Sequence, residues 1–122
     1  MAKKILIVDD EEMIRELLAD IIDSMDLQQV SADNGQDAIR LVQSDPDIGL
    51  VILDMNMPLM DGKQCYQQIR TTHSSLRIIL SSGRDQSDTE RQFGPDPHLF
   101  FIQKPYSLQA ITDIINRLLP AD

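Results

Sequence analysis

The stretch that decides the fold is LVILDMNMP, residues 50–58, in which an apolar run ends abruptly at Asp54. The same pattern occurs earlier in the chain, where the apolar run ILIV, residues 5–8, is followed directly by Asp9 and Asp10. A short apolar run that ends in charge is typical of a buried parallel strand whose carboxyl end opens onto solvent. Open α/β sheets build their sites at that edge, so the two acidic stretches predict one shared acidic pocket.

Length, composition and charge are those of a single domain without crosslinks. At 122 residues the chain can bury roughly two-thirds of the surface that it exposes when unfolded, and we expect one domain over residues 1–122. Cys65 is the only cysteine, which excludes an internal disulfide and suits a reducing compartment. The formal net charge of -9, from 20 acidic and 11 basic residues, disfavours unaided binding to nucleic acid or to an anionic membrane.

Signals for export or for membrane insertion are missing from the sequence. No apolar stretch approaches the roughly 20 residues that cross a bilayer. The first four residues, MAKK, lead straight into an apolar strand pattern without a signal-peptide core. We therefore expect a cytoplasmic protein.

Apolar runs alternate with stretches of helical spacing along the whole chain. Four runs, residues 5–8, 48–53, 78–80 and 99–102, read as buried strands, and the more polar run 28–32 reads as an edge strand. This alternation predicts an α/β fold, a doubly wound parallel sheet of five strands with helices on both faces.

Apolar stripes and capping residues predict four helices. Asn34 is the expected cap of the second helix, and Asp61-Gly62 with Gln64 forms the expected capping box of the third. The predicted buried stripes are Ile14, Leu17, Leu18, Ile21 and Met25 in the first helix, Ala38, Ile39 and Val42 in the second, Cys65 and Ile69 in the third, and Leu108, Ile111, Ile115 and Leu118 in the last, which begins at Ser107.

The segment between the fourth and fifth strands, residues 84–97, carries little apolar content. Phe93 is its only large apolar residue, and GPDP at 94–97 prevents a helix from continuing. We expect a short, poorly anchored helix over residues 87–93 and local mobility there.

Five polar residues follow strands of the predicted sheet: Asp9, Asp10, Asp54, Ser82 and Lys104. Clustered carboxylates repel one another and are tolerable when a hard divalent cation such as Mg²⁺ binds between them. A carboxylate can also act as a nucleophile that forms an aspartyl phosphate, and a metal, an ammonium and a hydroxyl are what such phosphoryl transfer requires.

Four signatures in this order carry a family resemblance: VDDE at 8–11, LDMNMPLMDG at 53–62, LSSG at 80–83 and KP at 104–105. Over essentially its whole length the chain resembles the response-regulator receiver domain of two-component signalling. The resemblance implies a flavodoxin-like (βα)5 fold with strand order 2-1-3-4-5. It also implies that a histidine kinase or a histidine phosphotransfer protein donates a phosphoryl group, and that the protein is a phosphoacceptor and not a turnover enzyme.

Site roles follow from the same resemblance. Asp54 is implied as the phosphoacceptor, with Asp10 as a direct ligand of Mg²⁺, Asp9 as a ligand mainly through water, and Asn56 as a ligand through its backbone carbonyl. Lys104 is implied to offset charge on the phosphoryl group, and its bond to Pro105 is expected to be cis.

A switch is implied at two further positions. Ser82, in preference to Ser81, matches the switch hydroxyl, and Phe101 matches the aromatic switch position, where it lacks the hydroxyl of the tyrosine found in relatives. Phosphorylation would then reshape the face of helix four, strand five and helix five, and helix four would be the soft element that it orders. The stretch 101–107 is most similar to receivers of hybrid sensor kinases, so the output is a downstream protein or a linked kinase module.

Two alternatives come from other functional classes. One is a magnesium-dependent phosphatase or phosphotransferase with an aspartyl-phosphate intermediate, but such enzymes carry a second acid where this chain has Asn56. The other is an adaptor that signals without phosphorylation, although all five site positions are filled. Asp61 is interpreted as a helix cap outside the site, and His73 and His98 as residues at the solvent edge.

Overall fold

A computed structural model describes residues 3–119 and contains one five-stranded parallel sheet in the order β2-β1-β3-β4-β5. The predicted fold class and strand order are confirmed, and the polar strand β2 lies at an edge. The elements are β1 Lys4–Val8, α1 Glu12–Ser24, β2 Gln28–Ala32, α2 Gly35–Ser44, β3 Ile48–Asp54, α3 Gly62–Arg70, β4 Arg77–Ser82, α4 Gln86–Glu90, β5 Leu99–Gln103 and α5 Leu108–Leu118. Within this described part, no helix is long and apolar enough to cross a membrane.

Strand register places the ends of the strands level with one another. Val8 is paired with Leu53, Asp54 with Ser81, and Ser82 with Gln103. Since all five strands are parallel, the residues that follow β1, β3 and β5 emerge at the same edge of the sheet.

Two apolar cores cover the two faces of the sheet, because successive strand residues point to opposite sides. Leu6, Val51 and Leu80 belong to the core that is completed by α2 and α3. Ile7, Ile52 and Ile79 belong to the core that is completed by α1 and α5. We call the first side the α3 face and the second side the α5 face.

The apolar stripes of α1 and α5 differ from the prediction at one edge each. Leu17 is 48% exposed and Leu108 is 62% exposed, although both were predicted to be buried. Ile22 and Ile114, at the opposite edges of the same stripes, are buried instead. With 100° between successive helical residues, both edges of such a stripe are apolar, and only packing against the sheet decides which edge is covered.

The predicted caps are confirmed. The Asn34 side chain accepts a hydrogen bond of 2.8 Å from the Asp37 amide at the start of α2. At the start of α3, the Gln64 amide donates to Asp61 Oδ1 at 2.8 Å and the Asp61 amide donates to Gln64 Oε1 at 3.0 Å. These pairs satisfy helix N–H groups that have no partner within the helix.

Helix α4 is short, as predicted, but it ends at Glu90 and does not reach Phe93. Phe93 follows the helix and packs between the rings of Tyr66 and Phe101, with centroid distances of 5.3 and 5.7 Å. The next segment is tied to α3 because Arg70 Nε lies 2.7 Å from Asp96 Oδ2. Within α4 itself Thr89 is buried, and further anchoring comes from residues after the helix. Mobility of α4 stays a prediction.

We predict that Gly62→Ala lowers the free energy of unfolding by about 1–3 kcal/mol, because α3 begins against the end of β3. A Cβ atom at Gly62 would lie 2.5 Å from the Asp54 carbonyl oxygen and 2.7 Å from Met55 Cα. Urea unfolding measures the loss. The matched control is Gly94→Ala, where a Cβ atom would meet nothing within 4 Å; equal effects of the two substitutions would contradict the close contact.

Candidate functional site

Three carboxylates meet at the carboxyl edge of the sheet. Asp9, Asp10 and Asp54 each offer an oxygen atom within 4.8 Å of the others. Asp9 is 2% exposed and Asp54 is 4% exposed, whereas Asp10 lies at the surface. The cluster therefore has two buried oxygen donors and one at its mouth, and hard oxygen donors of this kind suit Mg²⁺.

Lys104 lies between the two buried carboxylates. Its Nζ is 3.1 Å from Asp9 Oδ2 and 3.2 Å from Asp54 Oδ1. Although burial acts to lower it, the pKa of Lys104 is raised because the carboxylates of Asp54 and Asp9 outweigh burial. The side chain is therefore a fixed positive charge inside the acidic pocket.

Asp54 has a raised pKa. Burial, reinforced by the charge of Asp9, raises its pKa to about 6, while the Lys104 ammonium and the Asn56 amide act in the opposite direction. The Asn56 amide donates to Asp54 Oδ1 at 3.3 Å. Above its pKa, Asp54 presents an oxyanion with few protein partners at the edge of the sheet.

Asp9 is held by α1 as well as by Lys104. The Glu11 amide donates to Asp9 Oδ1 at 2.9 Å, and Arg15 Nη1 donates to the Asp9 carbonyl oxygen at 2.7 Å. Arg15 could not be predicted as a site residue, because an arginine six positions later on a helix gives no signal in the sequence that it reaches back to a strand end.

Ser82 ends β4 and Phe101 lies within β5, and the alternation of strand residues places both side chains on the α3 face; their switch roles stay predictions. Ser82 is 3% exposed, and its Oγ accepts a hydrogen bond of 3.1 Å from the Arg84 amide. The Ser82 carbonyl oxygen accepts one of 2.7 Å from the Lys104 amide. The Lys104-Pro105 bond is cis, as the resemblance implied.

Asp61, Cys65 and the two histidines lie outside the carboxylate cluster. Asp61 forms the capping box of α3, and Cys65 is buried in the α3-face core with its pKa raised to about 12 by burial. His73 and His98 are half-buried. Among residues 3–119, the carboxylate trio is the only group of three or more His, Cys, Asp or Glu residues close enough to hold a metal ion.

The chain belongs to the family described as the response regulator receiver domain, whose model matches residues 5–116. It is 32% identical over 121 residues to sporulation initiation phosphotransferase F of Bacillus subtilis, an alignment that covers 98% of this chain and 96% of that protein. It is 30% identical over 122 residues to chemotaxis protein CheY of Halobacterium salinarum, with 99% and 100% covered.

A solved structure gives the same result. Response regulator protein TrrA of Thermotoga maritima, in complex with Mg(2+)-BeF, matches with a TM-score of 0.84 and 28% identity over 96% of this chain and 99% of TrrA. The expectation of a receiver domain of two-component signalling is therefore confirmed. The finer resemblance to receivers of hybrid sensor kinases stays a prediction.

We predict that Asp54→Asn raises the free energy of unfolding by about 1–3 kcal/mol near pH 7.5 without Mg²⁺. The pKa of Asp54 rises from 3.8 to about 6 on folding, so the folded protein binds this proton more tightly. The ionised group therefore lowers stability as pH rises from about 4 to 6, and this cost is fully present above that range.

Urea unfolding of the wild type and of Asp54→Asn at about pH 4.5 and about pH 7.5 measures the difference, which should shrink at the lower pH. The control is Asp113→Asn on the exposed side of α5. A gain that is the same at both pH values would show that ionisation of Asp54 is not its cause.

Proposed function

We propose that this receiver accepts a phosphoryl group on Asp54 from a phosphohistidine donor, with Mg²⁺ bound in the acidic pocket. The observation that carries the proposal is the position of Lys104, whose ammonium lies 3.1 and 3.2 Å from oxygens of Asp9 and Asp54. An ammonium fixed beside a nucleophilic carboxylate offsets the charge that a transferring phosphoryl group brings.

The transfer exchanges one bond to phosphorus for another. An Asp54 carboxylate oxygen attacks the phosphorus atom, a P–O bond forms, and the P–N bond to the donor imidazole breaks. The imidazole departs as the leaving group and takes up a proton from solvent. Lys104 then contacts a phosphoryl oxygen. Because Asp54 is buried, the donor can approach it only from the open carboxyl edge of the sheet.

The oxygen donors present fit Mg²⁺. Asp9, Asp10 and Asp54 would hold it with the backbone carbonyl of Asn56, which follows the phosphoacceptor by two residues. When bound, the ion neutralises charge on the phosphoryl oxygens. The similar receiver TrrA was solved in complex with Mg(2+)-BeF, which supports the assignment.

Ser82 and Phe101 would change conformation when the phosphoryl group is present, and this change would alter the α3 face. The Ser82 hydroxyl accepts from the Arg84 amide, and it would rotate to donate to a phosphoryl oxygen. Phe101 would follow inward, away from the Phe93 ring that it now contacts. Because Phe93 lies three residues after the end of α4, this movement would reshape the surface of α4, β5 and α5.

The partners and the extent of the domain follow from the same role. The donor would be a histidine kinase or a histidine phosphotransfer protein, and the changed surface would bind a downstream protein or a linked kinase module. Residues 1–122 would form a single receiver domain that acts once per phosphorylation and does not turn over a substrate.

The first prediction of this function is covalent phosphorylation. Incubation with acetyl phosphate and Mg²⁺ should add one phosphoryl group to the intact mass of the wild type, labile to hydroxylamine, and none to Asp54→Asn. Omission of Mg²⁺ should prevent the addition. A wild type that binds Mg²⁺ but stays unmodified by acetyl phosphate and by a panel of phosphohistidine donors would contradict the proposal and favour an adaptor.

The second prediction concerns the metal. Mg²⁺ at about ten times its dissociation constant should raise the free energy of unfolding by about 1.4 kcal/mol, and Asp10→Asn should remove most of this gain because it deletes the exposed oxygen donor. Thermal unfolding with and without Mg²⁺ measures it. Asp20→Asn, which changes an exposed carboxylate on α1, is the matched control and should retain the gain.

A further inference from the structure

Two hydroxyl groups beside the pocket are buried without a hydrogen bond. Among the described residues, Ser81 Oγ and Tyr106 Oη are the buried side-chain oxygen or nitrogen atoms that lack a partner. Buried polar groups are normally hydrogen-bonded, and an exception calls for a physical explanation. Neither residue has a role in the switch, since Ser82 and Phe101 occupy those positions.

The two hydroxyls lie on the α5 face. Ser81 follows Ile79 by two residues in β4, so both side chains point to the face that α1 and α5 cover. The Tyr106 ring packs against the same core. Burial raises the pKa of Tyr106 and a hydrogen-bonding interaction with the Ser81 hydroxyl acts to lower it, so the two hydroxyls face each other, although no direct bond between them has the geometry of a hydrogen bond.

Both hydroxyls lie near the phosphoacceptor. Ser81 is paired with Asp54 in the sheet, and the charges of Lys104, Asp9 and Asp54 all act on the Tyr106 hydroxyl.

Lys104 has one hydrogen-bond donor to spare. An ammonium carries three N–H groups, and in the described part of the chain Lys104 Nζ donates to two acceptors, Asp9 Oδ2 and Asp54 Oδ1. One N–H of Lys104 and the hydroxyls of Ser81 and Tyr106 are therefore without a hydrogen bond of good geometry among the described residues.

We propose that Lys104, Ser81 and Tyr106 together bind one buried water molecule, and that Tyr106 is thereby a positioning residue for Lys104. The water accepts hydrogen bonds from Lys104 Nζ and from the Tyr106 hydroxyl, and donates one to Ser81 Oγ. Three hydrogen bonds are typical of a buried water. The positive charge of Lys104 disfavours a cation at this position, and the carboxylates of Asp9 and Asp54 disfavour an anion there, so a neutral water is the ligand that fits.

The consequence for the site is a fixed ammonium. Lys104 donates two N–H groups to the carboxylates of Asp9 and Asp54, and the water accepts the third. Lys104 then stays midway between Asp9 and Asp54, where the transferring phosphoryl group would need it. This role in transfer rests on the phosphoacceptor function proposed above, whereas the water site itself does not.

The test measures the rate of acetyl phosphate labelling at saturating Mg²⁺ in Tyr106→Phe, Ser81→Ala and the double variant. We expect each single variant to be about fivefold slower, the effect of one lost hydrogen bond. The double variant should be no slower than either single one, because all three lose the same water. The control Tyr66→Phe removes the other tyrosine hydroxyl, which contacts Asp96 on the α3 face, and should keep the wild-type rate.

A direct Ser81–Tyr106 hydrogen bond without a water is the rival arrangement. It would leave Lys104 unaffected, so Tyr106→Phe would label at the wild-type rate and the proposal would be overturned. Losses that multiply in the double variant would overturn it as well, because they would show two independent effects.

A second measurement is independent of phosphorylation. Proton-detected NMR of the lysine ammonium groups should show a Lys104 signal that is protected from exchange, and Tyr106→Phe should remove the protection. A crystal structure should show the water itself. If acetyl phosphate fails to label the wild type but both observations hold, the proposed function fails and the water site stands; an unprotected Lys104 and no water density would reject the site.

Discussion

The site depends on one interaction, the ammonium of Lys104 between the carboxylates of Asp9 and Asp54. Carboxylates at neighbouring strand ends repel each other, and burial adds the cost of removing charge from water. Within the described residues, Lys104 is the only cation that forms an ion pair with this cluster. Its own position is set by the sheet, since its amide donates to the Ser82 carbonyl oxygen at 2.7 Å.

The two serines at the end of β4 connect this pocket to opposite faces of the sheet. Ser82 and Phe101 lie on the α3 face, where the Phe101 ring contacts Phe93 and, through it, Tyr66 of α3. Ser81 lies on the α5 face with Tyr106. The alternation of strand side chains thus separates a residue that would sense the phosphoryl group from one that would steady the ammonium.

Fold and pocket could be predicted from the sequence because both rest on local patterns. Apolar runs that end in Asp9-Asp10 and Asp54 identify strands and the edge where they open, and Asn34 and Asp61 identify helix starts. The burial of Leu17 and Leu108 was predicted wrongly, since the stripes on α1 and α5 are apolar at both edges and only the sheet determines which edge is covered.

The sequence by itself determined the parallel sheet, the acidic pocket and the residues that fill it, because residue type and order along the chain set strand patterns and charge. Only the tertiary structure decided that Arg15 binds the Asp9 carbonyl oxygen, that Phe93 joins Tyr66 to Phe101, and that the hydroxyls of Ser81 and Tyr106 are buried. These contacts join residues from different elements, and their geometry depends on how helices pack on the sheet, which no local pattern records.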